Sequence, residues 1–492
     1  MTNPERSWFR LLIRLLTVVV IFAMVVGVVL WYKLFRETPQ QLADDSPAEY
    51  FKYGSIGTEE AEGIPYYVWL VLPRMFPEYL PEGHDNAQRP GGYAAFGVAW
   101  EQGRETPVGF SKRTIGFPRV GINCALCHST TYRADAESQP VIVPTGPSQK
   151  FDALSYLRFL GDCAADPRFT PENIINEMKY HTELSRLDWI LYRYVIIPRT
   201  KEELLAQRDR LAWTNDRPIW GPGRIDPFNP VKFHQLALKD DKTIGNSDMM
   251  PIWNMAARKG QKLHWDGLNS DLTEVVNSGA LGDGATNKSL PVEKLAIIQQ
   301  YIEQQPAPEF PQIESVDVDL AAEGETIYRR LCFVCHGGDR TGAIIDHDEL
   351  GTDQHRADMW TDAAVEAYSR YSDGYPWDFQ SFENEPEGYV AVPLDGIWLR
   401  APYLHNGSVP TLHDVLKPSA ERPKQFYRGY DVYDFQQMGF VHALTNENAA
   451  REGFLFDVSQ PGNSNHGHEG AKYGTTLDVS EKSALIEYLK TL

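Results

Sequence analysis

Two short stretches decide the class of this protein: residues 121–130 read GINCALCHST, and residues 331–340 read LCFVCHGGDR. Both contain Cys-x-x-Cys-His, and together they use four of the five cysteines in a chain of 492 residues. Two thiols on one turn add to the two vinyl groups of a haem, and the histidine that follows reaches the iron. The two motifs therefore predict two covalently attached c-type haems.

The residues predicted to hold the haems form two sets: Cys124, Cys127 and His128 for the first haem, and Cys332, Cys335 and His336 for the second. In each set the histidine is the predicted proximal ligand of the iron. Two disulfides would leave both histidines unexplained, and a zinc ion shared by the four cysteines would span about 200 residues, far from zinc-finger spacing. Chance is negligible for two such pentapeptides. The remaining Cys163 is predicted to be a buried, inert thiol.

The N-terminal part contains one long uncharged segment, LLTVVVIFAMVVGVVLWY at residues 15–32. As a helix it rises about 27 Å, which matches the hydrocarbon thickness of a bilayer. Three arginines precede it and favour a cytoplasmic N-terminus, and no small-x-small cleavage site closes the run. We therefore predict an uncleaved signal anchor over residues 1–36, with a buried core helix as the alternative. The anchor predicts a single-pass protein of the inner (cytoplasmic) membrane with its haem domains in the periplasm.

The composition limits the partners. Acidic residues outnumber basic ones by 67 to 47, for a net charge of −20. This balance argues against nucleic acid, and against anionic lipid as a partner for the bulk of the chain. It suits docking to a basic redox partner protein, although a solvated acidic surface is the simpler explanation. The sequence does not fix the oligomeric state.

The segments around the second motif predict the domain organisation. Residues 318–336, VDLAAEGETIYRRLCFVCH, place a helix carrying Gly324 and Tyr328 directly before the haem-binding turn, and SEKSALIEYLKTL at 480–492 predicts the helix that closes a cytochrome c domain. The predicted units are a signal anchor or transmembrane helix at 1–36, an N-terminal haem domain at 37–304, a Pro-rich linker at 305–312 and a C-terminal cytochrome c domain at 313–492. The predicted fold is mainly α and loop-rich, with two cytochrome c-like haem domains and one N-terminal transmembrane helix.

Three further stretches resemble the bacterial di-haem cytochrome c peroxidase superfamily, which also contains MauG-type enzymes and rubber oxygenases. They are MPIWNMAARKGQKLHWDG at 250–267, LRAPYLHNGSVPTLHDVL at 399–416, and FYRGYDVYD at 426–434 with GNSNHGHEGAKYGTTL at 462–477. The third stretch, 426–434 with 462–477, is similar to a subgroup that is closer to the rubber oxygenases than to the standard peroxidases. The resemblance covers about 110–492 and is specific for the superfamily but not for one reaction.

The resemblance implies roles for residues of the first stretch. The tryptophan of the family's Trp-Asp-Gly tripeptide lies between the haems and conducts electrons, which makes Trp265 a candidate catalytic residue. His264, directly before it, is expected near a haem and is the second candidate. Trp253 is a weaker candidate for a position between the haems, since packed indoles usually belong to a core.

One departure from the family concerns the second iron. Standard members supply a methionine fourteen residues after the histidine of the second stretch, and counting from His405 gives Ser419. The resemblance to the rubber-oxygenase subgroup favours His468 as the distal ligand, with His466 and Met438 as alternatives and a plain polar contact as the remaining one. A second histidine in place of methionine would lower the potential of that haem.

Other candidate residues are less specific. His181 and His234 are candidates for a sixth ligand or an acid/base at the first haem, although each is more often a packed histidine. Arg400 is a candidate partner of a haem propionate, with a surface salt bridge as the alternative. The acidic stretch at 346–353, DHDELGTD, has the oxygen-rich composition of a Ca²⁺ loop without a full ligand pattern.

Three functions remain open from the sequence. The first is a membrane-anchored, peroxidase-like di-haem oxidoreductase in which the second haem supplies an electron, Trp265 relays it and the first haem activates hydrogen peroxide. The second is an oxygenase that uses dioxygen to cleave an apolar substrate, as rubber oxygenases do. The third is a non-enzymatic di-haem cytochrome that passes electrons to a partner protein.

Overall fold

The computed structural model describes residues 4–81, 92–312, 315–372, 375 and 387–492. Residues 1–3 of the predicted anchor and residues 313–314, where the predicted C-terminal domain begins, lie outside the described residues. The described chain is rich in helix, as the mainly α prediction requires, and its sheets are small and antiparallel.

The α-helices of the described chain are α1 Pro4–Phe35, α2 Pro47–Tyr53, α3 Tyr66–Met75, α4 Ala153–Ala165, α5 Pro171–Met178, α6 Arg186–Leu191, α7 Ile197–Arg210, α8 Leu272–Gly282, α9 Val292–Gln304, α10 Val318–Leu331, α11 Phe333–His336, α12 His347–Leu350, α13 His355–Asp358, α14 Asp362–Ser372, α15 Leu412–Val415, α16 Glu447–Glu452 and α17 Val479–Leu489. The strands are β1 Glu37–Thr38, β2 Ile64–Pro65, β3 Phe110–Ile115, β4 Phe117–Ile122, β5 Ser129–Tyr132, β6 Val141–Pro144, β7 Arg224–Ile225, β8 Ser247–Asp248, β9 Ile344–Asp346, β10 Gly388–Val390, β11 Gln425–Arg428, β12 Tyr433–Asp434, β13 Gly439–Phe440 and β14 Phe454–Asp457.

Helix α1 contains the uncharged segment and stands apart from the body. Within its stretch Trp8–Phe35, an 18-residue window has a mean hydropathy of 2.8 and is not buried by the rest of the chain, so the helix is long and apolar enough to cross a membrane. The C-terminal end of α1 contacts the rest of the chain, where Leu34 lies against Gly116 at the turn between β3 and β4. Gly116 has a φ of +72°, and a side chain there would collide with the Leu34 backbone.

A four-stranded sheet in the order β1-β3-β4-β2 positions the first motif. β3 and β4 form a hairpin in which Phe110 pairs with Ile122, and the motif begins two residues after β4 ends. The core beside this sheet is aromatic: the rings of Trp69 and Tyr93 stack with centroids 4.0 Å apart. Cys163 is fully buried in the same core, as predicted for an inert thiol.

The second motif is positioned by two crossing helices, as the sequence predicts. α10 runs into Cys332 and packs on the C-terminal α17, and a Cβ at Gly324 would lie 1.9 Å from the carbonyl oxygen of Ala484. Only glycine allows the two backbones to approach so closely. The predicted linker at 305–312 carries no helix and lies against the C-terminal part, where Pro308 O accepts a hydrogen bond from Trp398 Nε1 at 2.8 Å.

Candidate haem-binding cavity

The first motif forms a tight turn at the end of β4. The Asn123 side chain accepts a hydrogen bond from Ala125 N and donates one to Gly54 O, so it ties the turn to the end of α2. His128 N donates to Cys124 O at 3.0 Å, which closes the turn. Cys124, Cys127 and His128 are all half-buried, so their side chains remain partly accessible.

The second motif repeats this arrangement at the end of α10. Cys335 N and His336 N both donate to Cys332 O, at 3.2 and 3.0 Å. Tyr328 is buried one turn before, and its hydroxyl reaches His336 O at 3.4 Å. The local turn therefore brings both thiols and the imidazole of each motif onto one short segment.

Both motif histidines are oriented by a backbone carbonyl. His128 Nδ1 lies 2.7 Å from Met250 O, and His336 Nδ1 lies 2.7 Å from Val392 O. Because a carbonyl oxygen only accepts, each Nδ1 carries the proton and each Nε2 keeps a free lone pair. Burial lowers the pKa of both imidazoles, which favours the neutral form that binds a metal. The two residues thus have the tautomer and charge of iron ligands.

A cavity of about 240 Å³ lies beside the second motif and is lined mainly by apolar side chains. Cys332, Cys335 and His336 are all in its wall, and the first motif reaches it through Met250. An apolar cavity that contains both thiols and a Nε2 lone pair fits a covalently bound c-type haem.

His468 faces His336 in this cavity. Their ring centroids are 6.4 Å apart, and the Nδ1 of His468 is buried without a hydrogen-bond partner in the described chain. Two imidazoles that bind one ion from opposite sides lie about 6 Å apart between centroids, because each metal–nitrogen bond is about 2 Å. The residue has a φ of +48°, held by the hydrogen bond from His468 N to Leu350 O. The separation fits a shared iron, and the role as a ligand stays a prediction.

The alternatives to His468 lie elsewhere. His466 is exposed and contacts the Ser419 hydroxyl, and Ser419 is held by Glu469. Met438 is fully buried in the C-terminal core and is not part of the cavity wall. The predictions for His466 and Met438 therefore receive no support from the structure.

Two arginines give the cavity a positive edge. Arg258 and Arg400 both line it, and Arg400 pairs with Asp395 at 2.9 Å. Burial, with the neighbouring Arg400, lowers the pKa of Arg258 to about 10, so Arg258 remains a cation near neutral pH. Two guanidinium groups beside one carboxylate leave an unbalanced positive charge, which fits the propionates of a haem. The alternative of a surface salt bridge is wrong for Arg400, because its side chain is largely buried.

Trp265 lies in the cavity wall, where two segments hold it. Its Nε1 donates to Asp248 O at 2.8 Å, and its carbonyl accepts from Val390 N at 2.8 Å. Asp248 lies two residues before Met250, whose carbonyl orients His128. Val390 lies two residues before Val392, whose carbonyl orients His336. Trp253 also lines the cavity, with its Nε1 bonded to Asp395 O.

His264, the other predicted catalytic residue, is half-buried beside Trp265. Burial lowers its pKa to about 3, and the charges of Arg356, Arg258 and His128 act in the same direction. The imidazole is therefore neutral near pH 7. Its ring packs edge-on against Phe228 at 5.6 Å.

The remaining sequence candidates are not at the cavity. His181 and His234 are exposed, and His234 Nε2 contacts Arg210 O. The structure therefore gives no support to a role of either residue at the first haem.

The structure gives the calcium prediction no support. Among the described residues no group of three or more His, Cys, Asp or Glu side chains is arranged to hold a metal ion. Within 346–353 the Asp346 side chain caps α12, Glu349 pairs with Arg340, and Asp353 pairs with His355. These three carboxylates are engaged in different local contacts, and calcium binding stays a prediction.

The sequence did not predict a buried polar cluster that reaches the cavity wall with Tyr389 and His405. Tyr389 stacks on His405 with centroids 3.8 Å apart, and His347 packs edge-on against the same tyrosine. Arg356 forms an ion pair with Asp266 at 2.5 Å, and both are buried. The quoted stretches contain His405 and Asp266, but their partners are distant in sequence.

A family model described as RoxA-like, cytochrome c-like matches residues 388–428. We refer to residues 388–428 as the RoxA-like segment. The RoxA-like segment contains the Val392 carbonyl that orients His336, together with Arg400 and His405 in the cavity wall. A cytochrome c-like domain implies a covalently bound c-type haem, in agreement with the second motif and its cavity.

Two curated proteins of Sinorhizobium fredii (strain NBRC 101917 / NGR234) are similar to parts of the chain. The uncharacterized protein y4iJ is 32% identical over 240 residues, which cover 36% of this chain and 39% of that protein. The uncharacterized protein y4iM is 29% identical over 288 residues, which cover 50% of this chain and 64% of that protein. The matches span less than two thirds of either relative, and neither name states an activity.

Proposed function

We propose that the protein is a membrane-anchored di-haem c-type cytochrome with oxidoreductase activity, whose haem domains lie in the periplasm. The observation that carries this proposal is the equivalent geometry of the two motif histidines, each donating Nδ1–H to a carbonyl 2.7 Å away. A c-type haem, when bound, supplies one-electron redox chemistry and, where a coordination position is open, a place for a small oxidant. The chain supplies the attachment, the orientation and the surroundings.

The residues around the second motif suit an electron-storing site. His336 and His468 would both hold the iron of this haem, which would leave no place for an oxidant and would lower the reduction potential. Arg258 and Arg400 would bind the propionates. Oxidant chemistry is therefore proposed at the first motif, where His128 is the proximal ligand.

Residues between the motifs suit electron transfer and hydrogen bonding. Trp265 lies in the wall of the second site, and His128 is among the groups that lower the pKa of the preceding His264. We assign Trp265 as the relay between the sites. His264, neutral at pH 7, is assigned as a hydrogen-bonding group beside the first motif.

The reaction we favour is oxygenase-like: dioxygen is added across a carbon–carbon double bond of an apolar substrate, with no net electrons from a partner. The support is the RoxA-like segment. Peroxide reduction is the second candidate, favoured by Trp265 between the two segments that hold the motif histidines. It consumes two electrons and two protons for each hydrogen peroxide and would need a redox partner protein.

The experiment begins with the full chain, produced with a cytochrome c maturation system and purified in detergent. Pyridine haemochrome and mass spectrometry should give two covalent haems, and Cys124→Ser/Cys127→Ser and Cys332→Ser/Cys335→Ser variants should each lose one. A colourless protein, or loss of both haems in each variant, would contradict the proposal. Low-temperature EPR should assign a six-coordinate low-spin iron to His336, and two such irons would favour the electron carrier.

The two reactions are then separated by stoichiometry. The protein is mixed with ¹⁸O₂ and an unsaturated hydrocarbon such as squalene, and the products are examined by mass spectrometry. Oxygenase activity gives carbonyl products that contain ¹⁸O without consumption of an added electron donor. Peroxidase activity instead consumes a reduced donor protein in proportion to added hydrogen peroxide.

A further inference from the structure

An apolar face on one helix is exposed to solvent. α6, the π-helical turn Tyr192–Ile196 and α7 form one continuous helix. Its inner face, including Leu191, Tyr192 and Ile196, is buried in the N-terminal core. Its outer face exposes four apolar side chains, Trp189, Ile190, Tyr194 and Val195, and Tyr194 is 65% exposed. A helix at a water-facing surface normally carries polar residues on this side.

The position of this face relative to the anchor is fixed by contacts. Lys33, near the end of α1, forms an ion pair with Asp188 at 2.8 Å. Tyr192 of the same helix packs against Phe117, beside the turn where Leu34 meets Gly116. The exposed face therefore lies next to the point where the anchor reaches the body.

The chemistry of the face matches a bilayer interface. Tryptophan and tyrosine concentrate at the level of lipid headgroups, because their rings are apolar and their N–H or O–H groups are polar. Arg193 lies over the Trp189 ring at 5.2 Å and close to the Tyr194 ring, and Arg186 is exposed at the start of the helix. Arginines at the edge of an apolar face can reach the phosphates while their stems stay apolar.

We infer that the face formed by Arg186, Trp189, Ile190, Arg193, Tyr194 and Val195 docks the periplasmic body onto the outer surface of the membrane that α1 crosses. This rests on the proposed anchor. We assign lipid as the partner of this face because the face adjoins the end of α1. That contact places the face at the level of the membrane surface. The negative charge of the whole chain does not oppose docking here, since the charged residues of the face are arginines.

The test measures depth in a bilayer with the full chain, one copy per nanodisc of phosphatidylethanolamine and phosphatidylglycerol. Ile190→Cys and Tyr194→Cys are labelled with a nitroxide, and EPR compares accessibility to oxygen with accessibility to a water-soluble nickel complex. Phe22→Cys in α1 reports the anchor, and Val479→Cys, an exposed apolar position on α17, is the aqueous control. The parent chain is labelled in parallel, since Cys163 is buried and haem-bound cysteines do not react.

The expected result is an oxygen-to-nickel accessibility ratio at 190 and 194 several times that at 479, with the highest ratio at 22. A membrane value at 22 with aqueous values at 190 and 194 overturns the docking face and leaves the anchor intact. An aqueous value at 22 overturns both. Protection at 190 that occurs only with two copies per disc assigns the face to a second chain and also overturns the inference. The spectrum of the labelled parent chain is subtracted from each variant spectrum. Strong labelling of the parent would show that motif cysteines are free, which would count against covalent haem.

Discussion

Replacing Gly324 by alanine tests the crossing of α10 and α17, which positions the second motif. A Cβ at this site would lie 1.9 Å from Ala484 O, whereas ordinary contact begins at 3.4 Å. The helices would have to separate by about 1.5 Å, since a backbone carbonyl cannot rotate away as a side chain can. Gly279 on α8 is the matched control, because nothing lies within 4 Å of a Cβ there.

The magnitude follows from two opposing effects. Overpacking of a close contact costs about 1–3 kcal/mol, and a clash with backbone belongs at the upper end. Alanine instead of glycine inside a helix stabilises by about 0.5–1 kcal/mol. We expect Gly324→Ala to lower the local unfolding free energy by about 2 kcal/mol, and Gly279→Ala to raise it by about 0.5–1 kcal/mol.

Hydrogen exchange with mass spectrometry is the suitable assay, because a chain of this size does not unfold in one step. A loss of about 2 kcal/mol makes amide exchange in 318–331 roughly 30-fold faster. Residues 272–282 should exchange more slowly in the control variant. If Gly324→Ala leaves exchange in 318–331 unchanged, the two helices do not cross at this glycine and the placement of the second motif is wrong.

Three further predictions concern the cavity. His468→Gly should convert one low-spin iron to high-spin in the EPR spectrum, and added imidazole should restore the original signal. His466→Gly, the control, should leave the spectrum unchanged. An unaltered spectrum of His468→Gly would show that His468 is not a ligand. Trp265→Phe should keep both haems but slow electron equilibration between them after flash reduction, and an unchanged rate would contradict the relay. Burial raises the pKa of Asp248 to about 6 despite Arg428, so the folded protein keeps a proton that the unfolded chain loses above about pH 4. The local unfolding free energy around Asp248 should therefore fall by about 2–3 kcal/mol as the pH rises from 4 to 7. Hydrogen exchange, corrected for the intrinsic pH dependence of amide exchange, should find this slope reduced in Asp248→Asn.

Local sequence was sufficient for the elements that depend on neighbouring residues. The apolar helix α1, the helix before Cys332 and the closing helix α17 all follow from runs of residues within one element. The turns of the two motifs are equally local, since their hydrogen bonds join residues three or four apart. His468 was singled out through a resemblance, and its position opposite His336 agrees with that choice without testing it.

Contacts between distant segments could not be predicted from the sequence. The carbonyl that orients His128 is 122 residues away, and the one that orients His336 is 56 residues away. Backbone carbonyls have no side-chain identity, so no residue type marks them. The acidic stretch at 346–353 shows the converse: its residue types suit a metal site, but within the described chain no group of three or more His, Cys, Asp or Glu side chains is arranged to hold a metal ion.

These distant contacts join the two motifs through Trp265. The segment from Asp248 to Met250 binds the indole Nε1 at one end and His128 at the other, and the segment from Val390 to Val392 binds the Trp265 backbone and His336. The tryptophan is thus held by the same two short segments that orient both motif histidines. A shift in either segment would move a motif histidine and the indole together, so the proposed electron relay and the orientation of the two histidines depend on one hydrogen-bonded unit.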